Sequence, residues 1–144
     1  RPGYVECGGL MHLWEALVDA AGARFPMAGV VPRACVMRDR VTLGYREVTA
    51  QRDSPVARAG DTVRGHQFHY FLPVAGGEAA YRRTDGVETE GVVAGPRGNV
   101  LASYLHVHFG TDPAMAERLV RQAAPGPGRA PANETLDAGR GDAK

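Results

Sequence analysis

The apolar residues near the start of the chain follow two different periods. Tyr4 and Val5 form a very short strand candidate just before Cys7-Gly8-Gly9. After the glycines, apolar side chains recur at helical spacing, at Leu10, Leu13, Trp14, Leu17 and Ala21. Gly22 is a typical stop signal, so this pattern predicts a helix up to about residue 21. We therefore expect Cys7 at a turn between a strand and a helix.

The middle of the chain consists of short apolar runs separated by turn residues, which predicts strands. The predicted strands are Ala28–Val31, Val41–Val48, Val63–Phe71, Ala79–Arg83, Val92–Ala94 and Asn99–Phe109. Pro32, Asp53-Ser54-Pro55 and Gly60-Asp61 interrupt the earlier runs. This order predicts a sheet protein whose only early helix follows Cys7.

The end of the chain predicts one more helix and then a tail. Asp112 suits the N-cap and Pro113 the first turn, and the helix should continue to about Ala123. Residues 125–144 are rich in Pro, Gly and Ala, and Leu136 is their one large aliphatic residue. So little apolar surface does not offset the entropy of ordering, which predicts a disordered tail.

Composition excludes several classes of function. The 144 residues amount to about one domain, with 44% hydrophobic and 23% charged residues and a net charge of +1. Because there is no basic stripe with interleaved aromatics, no nucleic-acid partner is expected. No apolar run approaches the ~20 residues that span a bilayer, and no signal core precedes Cys7. We expect a cytoplasmic protein in which Cys7 and Cys35 are thiols rather than a disulfide.

Cys7 has two interpretations. A cysteine on a tight turn before a helix is an exposed nucleophile, because the turn presents the sulfur and the helix N-terminus favours the thiolate. Gly8 and Gly9 would let a substrate approach closely. The alternative is a buried structural cysteine, which is the commoner role of a single cysteine. Cys35 has no comparable setting and is expected to be a core or surface thiol.

Four histidines lie in two short motifs. His106 and His108 are two apart on a predicted strand and would share one face, while His66 and His69 lie on another strand. Histidines in such patterns can bind zinc, and a third ligand would have to come from another histidine, Cys7 or a carboxylate. They can also simply form hydrogen bonds in a packed sheet. A thiol nucleophile usually needs a base, and His106 or His108 could supply it.

Four stretches together carry a more specific pattern than any single residue. They are Tyr4–Met11, Leu43–Glu47, Arg64–Tyr70 and Leu101–Phe109. In order and spacing they resemble the cobyrinic acid a,c-diamide synthase family from residue 1 to about residue 122. The first resembles the nucleophile motif, the second a central segment and the third a Gly-His-Glu-Phe-His-Tyr motif. The fourth resembles the segment that holds the catalytic histidine.

The resemblance implies a fold and a division of labour. The fold would be α/β and class I glutamine amidotransferase-like, a flavodoxin-like open sheet with flanking helices, incomplete at its N-terminal side. Residues 1–124 would form this partial domain. The family's N-terminal synthetase domain uses ATP and Mg²⁺ to activate the a and c carboxylates of cobyrinic or hydrogenobyrinic acid. No cofactor is expected in the 144 residues themselves. The expected partners are glutamine and, through the synthetase domain, the corrinoid acid, and a homodimer is one possible assembly.

The resemblance also implies roles for individual residues. Cys7 would be the nucleophile that forms a thioester with glutamine. His106 would be its base, because related amidotransferases have a Tyr-Leu-His-Gly segment whose histidine aligns with it, and His108 is the second choice. The backbone at Gly8 and Gly9 would bind substrate and oxyanion, and His66 and His69 could support the site. The carboxylate that orients His106 stays open among Glu6, Glu47 and Glu90.

The chain departs from the family pattern at two positions, with Gln67 in place of Glu and Phe71 in place of Ser. Because the front of the domain and the synthetase are not in the sequence, we expect these residues alone to be poorly stable and nearly inactive. The alternatives are a non-catalytic interaction module that kept the fold and a small metal-binding domain. Within the enzyme interpretation, a related nickel-tetrapyrrole amidase stays open, and the related cobyric acid synthases are less favoured.

Overall fold

The computed structural model describes residues 1–73, 79–86 and 88–124. In this part of the chain, one mixed sheet carries two helices. The elements in chain order are β1 (Gly3–Glu6), α1 (Gly8–Leu13), β2 (Trp14–Val18), β3 (Arg24–Pro26), β4 (Val31–Ala50), β5 (Thr62–Pro73), β6 (Ala79–Arg83), β7 (Thr89–Ala94), β8 (Val100–Ser103), β9 (Leu105–His106) and α2 (Pro113–Ala123). The predicted tail, residues 125–144, lies outside the described residues.

The sheet is mixed. Its strands run in the order β1-β8-β7-β6-β4-β2-β3, while β5 pairs with both β4 and β9. Among the described strands, β1–β8 and β2–β4 are the parallel pairs, and the others are antiparallel. None of the described helices is long and apolar enough to cross a membrane.

The predicted first helix is shorter than expected. α1 ends at Leu13, and the next five residues form β2. Trp14 already has extended backbone angles, with φ −65° and ψ 163°. Burial then alternates, since Trp14 and Ala16 are buried and Glu15 is exposed. The prediction of a helix to residue 21 was wrong because these apolar positions also fit a two-residue period, and pairing with β4 decides between the two.

Most predicted strands are confirmed, and one is misplaced. The runs at 41–48, 63–71, 79–83 and 92–94 all lie inside observed strands. The run from Ala28 is wrong up to Val30, because Ala28 and Gly29 lie outside any strand and donate to the backbone carbonyls of His12 and Trp14. β4 instead begins at Val31 and continues through exposed charged residues at 38–40. Those residues bury no apolar side chain, so the hydrophobic pattern gave no strand signal there.

The predicted strand Asn99–Phe109 breaks into two pieces. β8 ends at Ser103, Tyr104 interrupts the pairing, and β9 ends at His106. The strand stops there because the next amide, Val107 N–H, donates to a side-chain oxygen of Glu6 at 2.8 Å rather than to a neighbouring strand. His106 and His108 therefore do not share a strand face, and that prediction was wrong.

A hydrophobic cluster covers each face of the sheet. Adjacent residues of β8 belong to different clusters, with Leu101 in one and Ala102 in the other, because strand side chains alternate between faces. Leu10 of α1 packs in the Ala102 cluster, and Met115 of α2 packs in the Leu101 cluster. The two helices therefore flank opposite faces of the sheet.

The last helix begins and ends as predicted. The Asp112 side chain accepts a hydrogen bond from the Ala114 N–H at 3.1 Å, and Pro113 occupies the first turn. Arg118 fixes the helix to the loop before β5, since its Nη1 donates to the Val56 carbonyl at 2.7 Å and lies 3.2 Å from Asp61 Oδ2.

Gly65 allows β5 to approach β9. A Cβ at this position would lie 2.5 Å from the His106 carbonyl oxygen and 2.7 Å from Leu105 Cγ. Real Cβ atoms do not come so close to backbone, so a side chain here must displace one strand. The short β9 strand, and His106 with it, therefore depends on this glycine.

We expect Gly65→Ala to lower the free energy of unfolding by about 1–3 kcal/mol, the usual cost of overpacking. Urea unfolding of the chain measures it. Gly86→Ala is the matched control, because no heavy atom lies within 4 Å of the position that a Cβ would take there, and it should change stability by less than about 0.5 kcal/mol. Equal effects of the two substitutions would contradict the close approach of β5 and β9.

Candidate active site

The backbone at Cys7 is strained in a way that presents its side chain. Cys7 has φ 50° and ψ −109°, and among the described residues it is the one non-glycine with a positive φ. L-residues avoid this region, and residues held there concentrate at functional sites. The strand-turn-helix predicted at Cys7 is confirmed, with β1 ending at Glu6 and α1 beginning at Gly8. It is the geometry of a nucleophile elbow.

The surroundings fix this turn from both sides. The Cys7 N–H donates to the Ser103 carbonyl at 2.8 Å, which extends the β1–β8 ladder by one residue. The Cys7 carbonyl accepts the first helical hydrogen bond, from Met11 N–H at 3.2 Å. The sulfur is partly buried and lies 4.0 Å from the Phe68 carbonyl oxygen of β5. Cys7 is therefore a free thiol between the edge of the sheet and the β5 strand.

Gly8 and Gly9 serve different purposes. No heavy atom lies within 4 Å of the position that a Cβ would take at Gly8, and this residue is exposed. A Cβ at Gly9 would lie 3.0 Å from Val5 Cβ, so Gly9 lets α1 pack closely against β1. Open space beside the nucleophile therefore lies at Gly8.

His106 lies at the same edge of the sheet as Cys7. β1 and β8 are parallel and pair Glu6 with Ser103, so both strands end side by side. Cys7 directly follows one strand, and β9, which contains His106, follows the other after a single residue. The Nδ1 atom of His106 lies 3.4 Å from Glu6 Oε2. Of the three carboxylates that the sequence left open, Glu6 is the one that contacts this histidine.

Glu6 is held by two further donors. Its Oε1 accepts hydrogen bonds from the Val107 N–H at 2.8 Å and from the Tyr4 hydroxyl. Burial and the bond to Glu6 raise the pKa of Tyr4 far above its ordinary value, so the phenol stays protonated and remains a donor. The sequence could have signalled this pair, because Tyr4 and Glu6 are two apart on β1 and share a face.

The other two carboxylates are engaged elsewhere. Glu47 forms an ion pair with Arg64 across the β4–β5 hairpin, at 2.6 Å. Glu90 lies beneath the end of β8, where it accepts from the Ser103 hydroxyl and from the Tyr104 N–H at 3.0 Å. Ser103 Oγ in turn accepts from the Leu105 N–H at 2.8 Å. Glu90 therefore supports the bend between β8 and β9, a role that sequence reasoning missed.

His108, the other candidate base, lies in a turn. The Nδ1 atom of His108 accepts from the Gly110 N–H at 3.1 Å, and the His108 carbonyl accepts from Thr111 N–H at 2.9 Å. The side chain is exposed at the start of the turn into α2. These contacts favour His106 over His108 as the base at Cys7.

The two histidines of β5 differ in their surroundings. His66 is paired with His106 across the β5–β9 ladder, and its ring lies edge-on to Tyr45 at 5.2 Å between centroids. His69 is buried, stacks on Tyr104 at 4.0 Å and has Nδ1 2.8 Å from the Phe71 carbonyl. Burial lowers the pKa of His69, as do the charges of Arg46 and His106. His66 therefore lies directly opposite His106 on the neighbouring strand, while His69 is buried against Tyr104.

The metal-binding alternative finds no support in the geometry. In residues 1–73, 79–86 and 88–124, no three side chains of His, Cys, Asp or Glu converge as a metal site would require. His69 is buried against Tyr104, and His108 is exposed in a different turn. The four motif histidines therefore do not form one cluster.

Two other residues singled out by the sequence have clear positions. Gln67, where the resembled family has Glu, is buried in β5 opposite Gly44 on one side and Leu105 on the other. Cys35 is fully buried in the core, and burial raises the pKa of its thiol. Cys35 is therefore a core thiol and Cys7 the accessible one.

A protein-family model described as the CobB/CobQ-like glutamine amidotransferase domain matches residues 1–114. Cobyrinate a,c-diamide synthase from Gloeobacter violaceus is 46% identical over 121 residues, which cover 84% of this chain and 26% of that protein. The enzyme of the same name from Salmonella typhimurium is 41% identical over 125 residues, covering 83% of this chain and 27% of its own length. The chain thus spans about a quarter of the length of these relatives.

One solved structure, described as the structure of PurLQS from Thermotoga maritima, is similar with a TM-score of 0.50. The match covers 67% of this chain and 56% of that chain at 13% sequence identity. At this identity the likeness concerns the fold, and it agrees with the predicted α/β fold of the class I glutamine amidotransferase type. The resemblance in the sequence motifs is confirmed by the family match over residues 1–114.

The strained backbone at Cys7 predicts an unusual order of stability. Cys7→Gly should be more stable than Cys7→Ala by about 1–2 kcal/mol, because glycine adopts a positive φ without steric cost. Thermal or urea unfolding of the two variants measures the difference. At Cys35, which lies inside β4, the order should reverse, because glycine weakens a strand. The same order at both positions would argue against strain at Cys7.

The partly buried carboxyl of Glu90 predicts a loss of stability from mildly acid to neutral pH. Burial raises its pKa from the ordinary 4.5 to about 7. The folded chain then holds a proton that the unfolded chain releases, so stability falls as pH rises through the window between these values. We expect the free energy of unfolding to fall by about 2.5 kcal/mol between pH 5 and pH 8.

Glu90→Gln should remove most of this fall, because the amide keeps the shape and cannot ionise. Denaturant unfolding at several pH values measures it. Glu47→Gln is the matched control and should leave the fall in place, since Glu47 lies in a surface ion pair with Arg64. A similar pH dependence in wild type and Glu90→Gln would contradict the assignment to Glu90.

Proposed function

Because this chain belongs to the CobB/CobQ-like glutamine amidotransferase domain family, we propose that it releases ammonia from glutamine, with Cys7 as nucleophile and His106 as base. The observation that carries the proposal is the strained turn at Cys7, which presents a free thiol at the sheet edge where His106 follows β8. A structural cysteine does not require such a backbone, and Cys35 in the core shows the contrast.

The chemistry follows from these positions. His106 accepts the thiol proton, and the thiolate attacks the side-chain amide carbon of glutamine. The Gly8 N–H, directly after the nucleophile and beside open space, is a suitable donor for the oxyanion that forms. His106 returns its proton to the leaving nitrogen, which departs as ammonia and leaves a thioester on Cys7. A water molecule, deprotonated by His106, then hydrolyses the thioester to glutamate and regenerates the thiol.

The ammonia would be used by a synthetase half, as the names of the longer relatives suggest. In this proposal the synthetase converts the a and c carboxylates of cobyrinic or hydrogenobyrinic acid to amides with ATP and Mg²⁺. We do not assign ATP and Mg²⁺ to this chain. Its sequence has no Gly-rich phosphate loop, and its single lysine is Lys144. Residues of this chain would only supply ammonia.

An exposed apolar surface supports docking on another domain or a second copy of the chain. Leu43 and Tyr45 of β4 and Phe68 and Tyr70 of β5 lie on one face of the hairpin and are all exposed, Tyr45 to 86%. Exposed patches of this kind commonly mark interfaces. Phe68 also supplies the carbonyl beside the Cys7 sulfur, so a partner on this face would lie next to the thiol. The two free thiols support a cytoplasmic location.

The test is glutamate release from glutamine. This chain replaces the matching 121 residues of the Gloeobacter violaceus relative, so that the rest of that protein stays intact, and glutamate is measured with and without Cys7→Ala. We expect Cys7→Ala to abolish release and His106→Ala to reduce it by about 10²–10⁴-fold, the usual contribution of a general base. His108→Ala is the matched control and should retain activity within a few-fold, because its ring contacts the turn before α2.

A well-folded chimera that keeps Cys7 and releases no glutamate would contradict the proposal. That result would favour the non-catalytic module, with Gln67 as the first residue to restore to Glu. A larger loss in His108→Ala than in His106→Ala would reassign the base.

A further inference from the structure

We propose that Glu6, the residue immediately before the nucleophile, positions His106 and fixes which of its ring nitrogens carries the proton. The proposal rests on the proposed function, because it assigns His106 the task of accepting the Cys7 proton. Glu6 Oε2 lies 3.4 Å from His106 Nδ1. A carboxylate beside Nδ1 favours the tautomer protonated there, and it leaves Nε2 as the acceptor for the thiol.

The carboxylate itself is immobilised. Two donors, the Val107 N–H and the Tyr4 hydroxyl, both bind Oε1, which leaves Oε2 for the histidine. The Tyr4 ring is held in turn by Phe109, with centroids 5.4 Å apart. Glu6 is therefore not a mobile surface carboxylate. Its backbone lies in β1, and its Oε1 atom accepts two hydrogen bonds.

The same contacts tie the carboxylate to the chain on either side of His106. Val107, the next residue after His106, donates its backbone N–H to Glu6. Gly65 packs against the His106 carbonyl from the opposite strand. The backbone at His106 is thus fixed by β5 on one side and by Glu6 on the other, and Glu6 also reaches the ring. Glu6 is a positioning residue that acts through His106.

Glu6→Gln is an informative substitution because of this geometry. The amide oxygen can still accept from Val107 and Tyr4, so the local fold is retained. The amide nitrogen then takes the place of Oε2 and donates to His106 Nδ1. That reverses the tautomer and puts the proton on Nε2, where it blocks acceptance from the thiol. A triad in which the orienting carboxylate becomes an amide loses activity for this reason.

The first measurement is ¹⁵N NMR of the histidine rings in the 144-residue chain at pH 9, where imidazoles are ordinarily neutral. We expect His106 to carry its proton on Nδ1 in the wild-type chain and on Nε2 in Glu6→Gln. A purely structural role of Glu6 would not move this signature. Glu47→Gln makes the same chemical change in the neighbouring hairpin and should leave the His106 signals as in wild type.

The second measurement is the rate at which iodoacetamide alkylates Cys7 near neutral pH. We expect Glu6→Gln to slow alkylation by about tenfold or more, because the base no longer accepts the thiol proton. Cys35 is fully buried, and Cys7→Ala gives the background rate. Glu47→Gln should react as fast as wild type.

A wild-type chain with the His106 proton on Nε2 overturns the proposal without any variant, even if Glu6→Gln fails to fold. So does a folded Glu6→Gln chain that keeps both the tautomer and the alkylation rate. These readouts do not depend on glutamine. If they agree with expectation while the chimera releases no glutamate, the glutaminase function fails and the positioning by Glu6 stands.

Discussion

The parallel pairing of β1 with β8 is the constraint on which the rest of the site depends. Its register places Glu6 beside Ser103, so the two strands end together and their next residues emerge at one edge. Cys7 follows directly, and its N–H adds one more hydrogen bond to the ladder. A shift of β1 by one residue would move its side chains to the other face of the sheet and displace Cys7 relative to the segment that holds His106. The site is therefore a property of strand register more than of any single side chain.

Stability and chemistry oppose each other at this edge. The positive φ of Cys7 and the desolvation of the Glu90 carboxyl each cost free energy, which packing elsewhere must offset. The surrounding contacts hold both in place: the β8 carbonyl and α1 fix Cys7, while Ser103 and Tyr104 surround Glu90. Proteins commonly keep such local strain where a reactive group must be presented. Cys35, which has the same side chain in an ordinary strand, is buried.

Sequence predicted the local features and missed those that depend on tertiary pairing. The turn at Cys7, most strands and α2 followed from glycine, proline and apolar spacing, which are local signals. The length of α1 and the break at Tyr104 did not, because β4 pairing overrides the helical period and a Glu6 side chain ends β9. The motif resemblance ranked His106 above His108, but the choice among three carboxylates needed distances between residues 100 positions apart.

The position of Glu6 next to Cys7 has a geometric consequence. A carboxylate on a separate loop would move independently of the nucleophile, and each would have to be aligned with the histidine. Here the last residue of β1 and the next one are joined by a single peptide bond, so any movement of β1 carries the carboxylate and the thiol together. The alignment of both side chains with His106 then depends only on how β1 is positioned against the segment formed by β8 and β9. Val107 binds Glu6 and Glu90 supports Tyr104, so both flanks of His106 reinforce that relation.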